Sequence, residues 1–224
     1  MRVLKIDFYG NPNIGLYGYC NNDYCLLGSE VPEYEAKEIA KVLGVPVHQI
    51  TICGTSLLGV FLAGNSNMLL VPEIAFDYEL KELDRLKIKH KVINSNLTAL
   101  GNNILCNDYG CIANPEFKND EVKAISKALG VPVKQGRIAG IDTVGSIAVV
   151  NSNAVAIHRD ISDKEAALVE DTLGVSCVHS TVNMGSPHIR SGVICNDNGF
   201  VIGNLSSGPE INNIEQELGY LDKK

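Results

Sequence analysis

Apolar and polar positions along this chain recur with a period of about 44 residues. One asparagine marks each copy, at successive spacings of 44, 42, 44 and 45 residues. These asparagines are Asn21, Asn65, Asn107, Asn151 and Asn196. Six residues before them stand Gly15, Gly59, Gly101, Gly145 and, in the fifth copy, Arg190. Repetition at this period predicts a repeat protein whose units pack on one another.

Each copy predicts the same order of elements. The apolar segments that begin at the repeat glycine, such as residues 59–63 and 145–150, are typical of buried strands. The Asn-rich segments that follow favour hairpin turns, and a second apolar strand comes next. Pairs of apolar residues spaced three apart then predict a helix with one apolar stripe. The pairs are Ala36/Ile39, Leu80/Leu83, Val122/Ile125, Ala166/Val169 and Ile211/Ile214.

The ends of the helices also have signals. Residues 162–165 have the pattern of a capping box, and a glycine follows the last turn of four helices. These glycines are Gly44, Gly130, Gly174 and Gly219. Lys87 stands where the other copies have a leucine. Because no gap is needed between each asparagine and its helix, we predict that all length differences fall after the helix. A β-branched strand, such as residues 45–47, completes the copy.

Acidic residues lie on the helix faces opposite the apolar stripes. Two groups stand out, Glu33/Glu35/Glu38 and Glu79/Glu82/Asp84. We predict that both groups are solvated surface.

Strand, hairpin, strand, helix and strand, five times over, predict a closed α/β ring. One unit alone cannot bury both a sheet face and a helix stripe. An open solenoid needs polar capping units, whereas the first and last copies here are as apolar as the others. A WD-type propeller is excluded, because the chain has no tryptophan and each unit contains a helix. We expect one domain over residues 1–224, a five-bladed propeller with helices outside. Its copies span approximately residues 12–55, 56–97, 98–141, 142–186 and 187–224.

Composition and charge indicate which kinds of molecule this protein is expected not to bind. The 224 residues are 45% hydrophobic and 20% charged, as in globular proteins. The longest apolar stretch, residues 57–64, is too short to span a membrane, and the N-terminus lacks a signal-peptide core. We therefore expect a cytoplasmic protein without a membrane partner. The net charge of −7 has the wrong sign for neutralising phosphates, so DNA is not expected as a partner.

The residues that carry chemistry give little support for an enzyme. The seven cysteines include no Cys-x-x-Cys, and we expect them to be free thiols in a reducing compartment. Two pairs face each other across predicted hairpins, Cys20/Cys25 and Cys106/Cys111. The sequence contains none of the motifs of phosphate-binding loops, dinucleotide binding, serine hydrolases or zinc peptidases. We predict no catalytic residue, metal or cofactor. A nucleophilic pair of Cys195 with His158 is kept as an alternative.

Six short segments, in order over the whole chain, carry a family resemblance. They are residues 54–59 (GTSLLG), 96–102 (NLTALGN), 107–109 (NDY), 142–146 (DTVGS), 181–186 (TVNMGS) and 207–210 (SGPE). In order and spacing they resemble the archaeal and eukaryotic translation initiation factor 6 family. The fold of that family, the pentein five-bladed ring, agrees with the fold predicted from the repeats. The chain ends at Lys224 without the tail of eukaryotic members, so the resemblance implies an archaeal member.

The resemblance implies a ribosome factor without catalytic activity. Members of the family bind the large ribosomal subunit at its subunit-joining face, block the small subunit sterically and accompany large-subunit biogenesis. They dock chiefly on a ribosomal protein near the sarcin-ricin loop, with limited direct contact to ribosomal RNA. Ribosomal proteins are generally basic, so the acidic charge of this chain favours such docking. We expect the protein to be a monomer.

The ribosome contacts implied by this resemblance lie where the repeat motifs converge at one rim. The predicted contact residues are Ser56, Leu58, Asn102, Asn103, Ser146 and Arg190. Asn102 is the first choice, because it follows the repeat glycine at a position that is apolar in Leu16 and Val60. The fifth copy departs from the pattern, since Arg190 replaces its glycine.

A diverged guanidino-modifying enzyme is the alternative function. Other pentein rings use a Cys nucleophile, a His and carboxylates in the axial channel. This alternative requires a reactive cysteine of low pKa. A scaffold or a metabolite-binding protein is a third interpretation that the sequence leaves open.

Overall fold

The computed structural model describes residues 2–221, in which fifteen strands form five three-stranded sheets. In chain order the strands are β1 (Val3–Ile6), β2 (Gly18–Cys20), β3 (Cys25–Gly28), β4 (Val47–Ile50), β5 (Ala63–Gly64), β6 (Leu69–Pro72), β7 (His90–Ile93), β8 (Ile104–Cys106), β9 (Cys111–Ala113), β10 (Val133–Gln135), β11 (Ala148–Val150), β12 (Ala154–His158), β13 (Ser176–Ser180), β14 (Val193–Cys195) and β15 (Phe200–Gly203). The helices are α1 (Glu33–Leu43), α2 (Leu58–Phe61), α3 (Asp77–Arg85), α4 (Leu100–Asn103), α5 (Asn119–Leu129), α6 (Asp163–Leu173), α7 (Ile189–Gly192) and α8 (Gly208–Glu217). Two 3₁₀ turns are Ile14–Tyr17 and Val144–Ser146.

Four sheets follow the chain order, namely β2-β3-β4, β5-β6-β7, β8-β9-β10 and β11-β12-β13. In each, an antiparallel hairpin is followed by a long helix and a third strand that pairs in parallel with the second. The predicted order of elements is therefore confirmed in these copies. The predicted apolar stripes are confirmed at their central positions, which are fully buried in Ile39, Leu83, Ile125, Val169 and Ile214.

The fifth sheet takes its third strand from the start of the chain. Its order is β1-β15-β14, and β1 pairs in parallel with β15, with Val3 opposite Phe200 and Ile6 opposite Gly203. This strand precedes residue 12 and so belongs to none of the predicted copies. The two ends of the chain are thereby joined in one sheet.

The repeat glycines lie in short helical turns, so the strands predicted over residues 59–63 and 145–150 begin later, at Ala63 and Ala148. The five segments, called the glycine turns below, are Ile14–Tyr17, Leu58–Phe61, Leu100–Asn103, Val144–Ser146 and Ile189–Gly192. Successive turns approach too closely for a side chain. A Cβ atom on Gly101 would lie 2.1 Å from the carbonyl oxygen of Gly59. One on Gly145 would lie 2.2 Å from the carbonyl oxygen of Gly101.

The repeat asparagines close the hairpins with their own side chains. The Oδ1 atom of each accepts hydrogen bonds from the backbone N–H groups two and three residues later. For Asn107 these donors are Tyr109 and Gly110, at 3.0 and 3.1 Å. This is the side-chain turn predicted from the Asn-rich segments.

Four of these asparagines also bind the following unit. The Nδ2 atom of Asn65 donates to Leu129 O (3.1 Å), that of Asn107 to Leu173 O (2.8 Å), that of Asn151 to Leu218 O (3.0 Å) and that of Asn196 to Leu43 O (2.8 Å). Each acceptor lies at the C-terminal end of a long helix, where carbonyl groups lack partners within the helix. The bond from Asn196 to Leu43 connects the fifth unit to the first.

Asn21 departs from this pattern, because its buried Nδ2 atom has no hydrogen-bond partner among the described residues. By analogy with the other four, its acceptor would come from the end of α3. That helix has only nine residues, and Lys87 has the left-handed φ of 59° that Gly44, Gly130, Gly174 and Gly219 have elsewhere. Lys87 therefore corresponds to those glycines and not to the leucine before them. The missing residue lies within α3, which corrects the prediction that length differences fall after the helix.

One of the six acidic residues predicted to be solvated surface is buried instead. Glu79 is 2% exposed and its carboxylate accepts the backbone N–H groups of Cys53 (2.8 Å), Gly54 (2.9 Å) and Phe76 (2.9 Å). The prediction of a solvated side chain is wrong here, because the start of α3 packs under the preceding loop. Glu33 and Asp84 are exposed as predicted.

The core consists of five clusters, each shared by two successive sheets and the helix between them. One cluster, for example, joins Leu26 of β3, Val71 of β6 and Leu83 of α3. Another joins α1 to the first and fifth sheets through Leu27, Ile39 and Val201. Within residues 2–221, none of the helices has the length and apolar character needed to cross a membrane.

The close approach of the glycine turns gives a test. We expect Gly101→Ala to lower the free energy of unfolding by about 2 to 3 kcal/mol, because its Cβ would overlap backbone that cannot move alone. Gly208→Ala is the matched control, since no atom beyond its chain neighbours and its own helix backbone lies within 4 Å of its Cβ position, and we expect a change below about 0.5 kcal/mol. Urea unfolding measures both, and equal losses would contradict the packing role.

The asparagine bonds give a second test. Asn107→Asp keeps the Oδ1 acceptor of the turn but loses the donor to Leu173 O and places a charge at a helix C-terminus. We expect a loss of about 2 kcal/mol in urea unfolding at pH 7. Asn21→Asp introduces the same negative charge but has no bond between units to lose, so we expect a smaller loss than for Asn107→Asp. Equal effects of the two substitutions would show that the bond between units is not what stabilises the fold.

Candidate functional site

The glycine turns bring five equivalent side chains to one surface. Contacts run from Ile14–Tyr17 to α2, to α4, to Val144–Ser146, to α7 and back to Ile14–Tyr17. In each turn the residue after the glycine position is partly exposed. These residues, called the glycine-turn face below, are Leu16, Val60, Asn102, Ser146 and Ser191. The face is uncharged.

Asn102 is the predicted contact residue that the structure leaves available. Its side chain is partly exposed and forms no hydrogen bond with another residue in the described part of the chain. Its neighbour Asn103 is buried, donates to Ala99 O (2.9 Å) and accepts from Asn114 Nδ2 (2.7 Å). Of this pair, Asn102 faces solvent and Asn103 connects the turn to the sheet.

Ser146 lies on the turn next to Asn102. Its backbone segment contacts α4, and its hydroxyl donates to Thr143 O at 2.7 Å and lies 3.1 Å from Thr143 Oγ1. The hydroxyl stabilises its own turn while the residue stays partly exposed. Asn102 and Ser146 thus form one continuous polar part of the face.

Of the other predicted residues, Ser56 and Leu58 are buried and Arg190 is partly exposed. Ser56 is 6% exposed with its Oγ atom 3.4 Å from Ser29 Oγ, and Leu58 is fully buried. Arg190 extends towards the axis, where its Nη2 atom donates to Leu62 O across the ring of turns at 3.4 Å. Leu16, Val60 and Ser191 also lie on the glycine-turn face but are not among the predicted contact residues, although each directly follows the repeat position.

An axial cavity of about 60 Å³ lies behind the glycine-turn face. The first strands of the five sheets line it, and its polar groups belong to Tyr19, Cys20, Cys106, Cys195 and Arg190. Sites for organic ligands are several times larger. Within the described residues, no three His, Cys, Asp or Glu side chains come together as metal ligands.

The thiol of Cys195 is not activated. Burial raises the pKa of Cys195 to about 12, although Arg190 acts in the opposite direction. His158 is buried elsewhere, and its Nδ1 atom accepts the N–H of Asp160 at 3.1 Å. The pair of Cys195 with His158 is therefore not assembled, and the low pKa that a nucleophilic cysteine needs is reversed.

All seven cysteines are free, as predicted. Cys20 pairs with Cys25 in the hairpin register, and Cys106 pairs with Cys111. Their positions opposite each other are confirmed.

The fold defines the class of this protein as an α/β repeat protein of five units. The model of the eIF-6 family matches residues 3–217. The chain is 39% identical over 222 residues to translation initiation factor 6 of Staphylothermus marinus, covering 97% of this chain and 98% of the relative. The corresponding protein of Saccharolobus islandicus is 37% identical over 98% of this chain and 100% of the relative. That of Thermococcus onnurineus is 36% identical over 99% and 100%. This chain belongs to the eIF-6 family.

The state of Cys195 gives a third test. With its pKa at about 12, its thiolate fraction at pH 8 is roughly a thousandfold below that of an ordinary thiol. We expect slow labelling of Cys195 by an uncharged maleimide in the folded protein and rapid labelling after unfolding in urea. Mass spectrometry of peptides locates the label. Rapid labelling of folded Cys195 would restore the enzyme hypothesis.

Proposed function

We propose that this protein is a translation initiation factor that binds the large ribosomal subunit and sterically prevents the small subunit from joining. Membership of the eIF-6 family carries the proposal, together with relatives named translation initiation factor 6 that match nearly the whole chain. The factor acts in the cytoplasm as a monomer and takes part in large-subunit biogenesis. It uses no cofactor and carries out no chemistry.

We infer that the five units close into a pentein-type five-bladed propeller. Four observations support closure. β1 completes the fifth sheet, and Asn196 donates to Leu43 O of the first unit. The glycine turns contact one another in a complete circuit. A core cluster joins the first and fifth sheets through Leu27 and Val201.

The glycine-turn face is the proposed ribosome-binding surface. Its five side chains include no lysine or arginine, and phosphate contacts depend on such cations. A surface of apolar and neutral polar groups suits a protein partner better than RNA. The partner we propose is a ribosomal protein near the sarcin-ricin loop, with limited contact to ribosomal RNA.

Charge favours the same partner. The chain has a net charge of −7, and ribosomal proteins are generally basic. Complementary charge outside the glycine-turn face speeds and orients docking. The face itself is neutral, so no unpaired charge is buried when it binds. A factor bound at the subunit-joining face of the large subunit then blocks the small subunit sterically.

Co-sedimentation with separated ribosomal subunits tests the proposal, followed by light scattering of subunit joining. We expect stoichiometric pelleting with large subunits only, and a joining amplitude that falls as the factor is added. Absence of pelleting at several salt concentrations would overturn the proposal.

A matched pair of variants tests the surface. We expect Asn102→Arg to weaken pelleting with large subunits by about tenfold or more, because it adds a long cation to a neutral contact facing a basic partner. Its melting temperature is expected to be unchanged, since the Asn102 side chain has no hydrogen bond to lose within residues 2–221. Asn212→Arg makes the same change on the exposed surface of α8 and is expected to bind normally. Equal binding by wild type and Asn102→Arg would remove Asn102 from the interface.

A further inference from the structure

The axial cavity holds a guanidinium group without a carboxylate partner. Arg190 makes one side-chain hydrogen bond, the 3.4 Å contact to Leu62 O, and no ion pair with another residue among 2–221. A guanidinium group has five N–H donors, so most of its capacity is unused. Arg190 is partly exposed as a residue, but desolvation of its guanidinium lowers its pKa, and an opposite charge beside the group would offset that cost.

A second polar group in the same cavity is also unpartnered. Tyr19 is 4% exposed, and its buried hydroxyl has no hydrogen-bond partner among the described residues. Gly64 leaves space for that hydroxyl, since a Cβ atom there would lie 2.8 Å from it. Burial raises the pKa of Tyr19 well above its usual value, so the phenol stays protonated and can donate.

The remaining walls supply no negative charge. Burial raises the pKa of Cys195 to about 12 and that of Cys20 well above its usual value, so these thiols are neutral. Two acidic side chains, Asp108 and Asp197, line a second cavity at the other end of the axis, beside the hairpin turns. There Asp197 binds Asn22 (2.8 Å) and Ser152 (2.6 Å) and does not line the Arg190 cavity.

We propose that this cavity binds one small monovalent inorganic anion, of the size of chloride, between the Arg190 guanidinium and the Tyr19 hydroxyl. Two donors that line one cavity, with neutral groups around them, favour an anion over a cation or an apolar ligand. A volume of about 60 Å³ accommodates a halide with a water molecule and excludes organic phosphates. The site is independent of ribosome binding.

Such an anion would stabilise the contact between the ends of the chain. Arg190 belongs to the fifth unit and Tyr19 to the first, and strands β14 and β2 of these units are in contact. Anion binding and folding are then linked, because the unfolded chain has no such site.

Thermal unfolding of the full chain tests the proposal. At constant ionic strength, we expect the melting temperature to rise and saturate as chloride or bromide replaces gluconate. Tyr19→Phe is expected to raise the apparent Kd for chloride about tenfold, and Arg190→Met to abolish the halide effect. Arg159→Met changes an exposed arginine and is expected to keep the wild-type halide response.

Crystals of the wild-type protein in sodium bromide give a measurement that does not depend on the stability of variants. We expect a bromide anomalous peak between Arg190 and Tyr19. Water density without an anomalous signal, together with equal melting temperatures in chloride and gluconate, would overturn the proposal. Neither result depends on whether the protein binds ribosomes.

Discussion

The hydrogen bond from a hairpin asparagine to the end of the next long helix is the interaction on which this architecture depends. One side chain closes its own turn through Oδ1 and satisfies a helix-terminal carbonyl of the neighbouring unit through Nδ2. The bond from Asn196 to Leu43 connects the last unit to the first. Asn21 shows the geometric requirement, because α3 is short and its Nδ2 atom is left without a partner within residues 2–221.

At the glycine turns, the close approach of successive units limits which residue can be accommodated. Backbone carbonyls of one turn lie where a side chain of the next would begin, so glycine is needed at four of the five turns. The adjacent residue then points outwards, and these residues make a neutral surface that suits recognition of a protein. Where Arg190 replaces glycine, its long side chain crosses the axis towards Leu62 instead of joining that surface.

Burial decides the character of the axial cavity. Desolvation raises the pKa of Cys195 and lowers that of Arg190, so in the axial cavity a neutral Cys195 thiol lies near a poorly solvated cation. Catalysis on guanidino groups needs the reverse arrangement, with an ionised thiol and carboxylates. These features of the axial cavity are consistent with placing the proposed binding surface on the glycine-turn face.

The sequence by itself determined the five copies, the asparagine hairpins, the helix stripes and the free, facing cysteines. These features depend on neighbours a few residues away, which a local pattern records. Only the tertiary structure decided that β1 completes the fifth sheet, that Glu79 is buried and that Leu58 and Asn103 lie inside while Asn102 lies outside. Lys87 was matched to the leucine position of the other copies, because only its left-handed backbone shows that it corresponds to the glycine after each helix. These outcomes depend on three-dimensional packing. The periodic pattern of the sequence does not show which way a side chain points or how deeply it is buried.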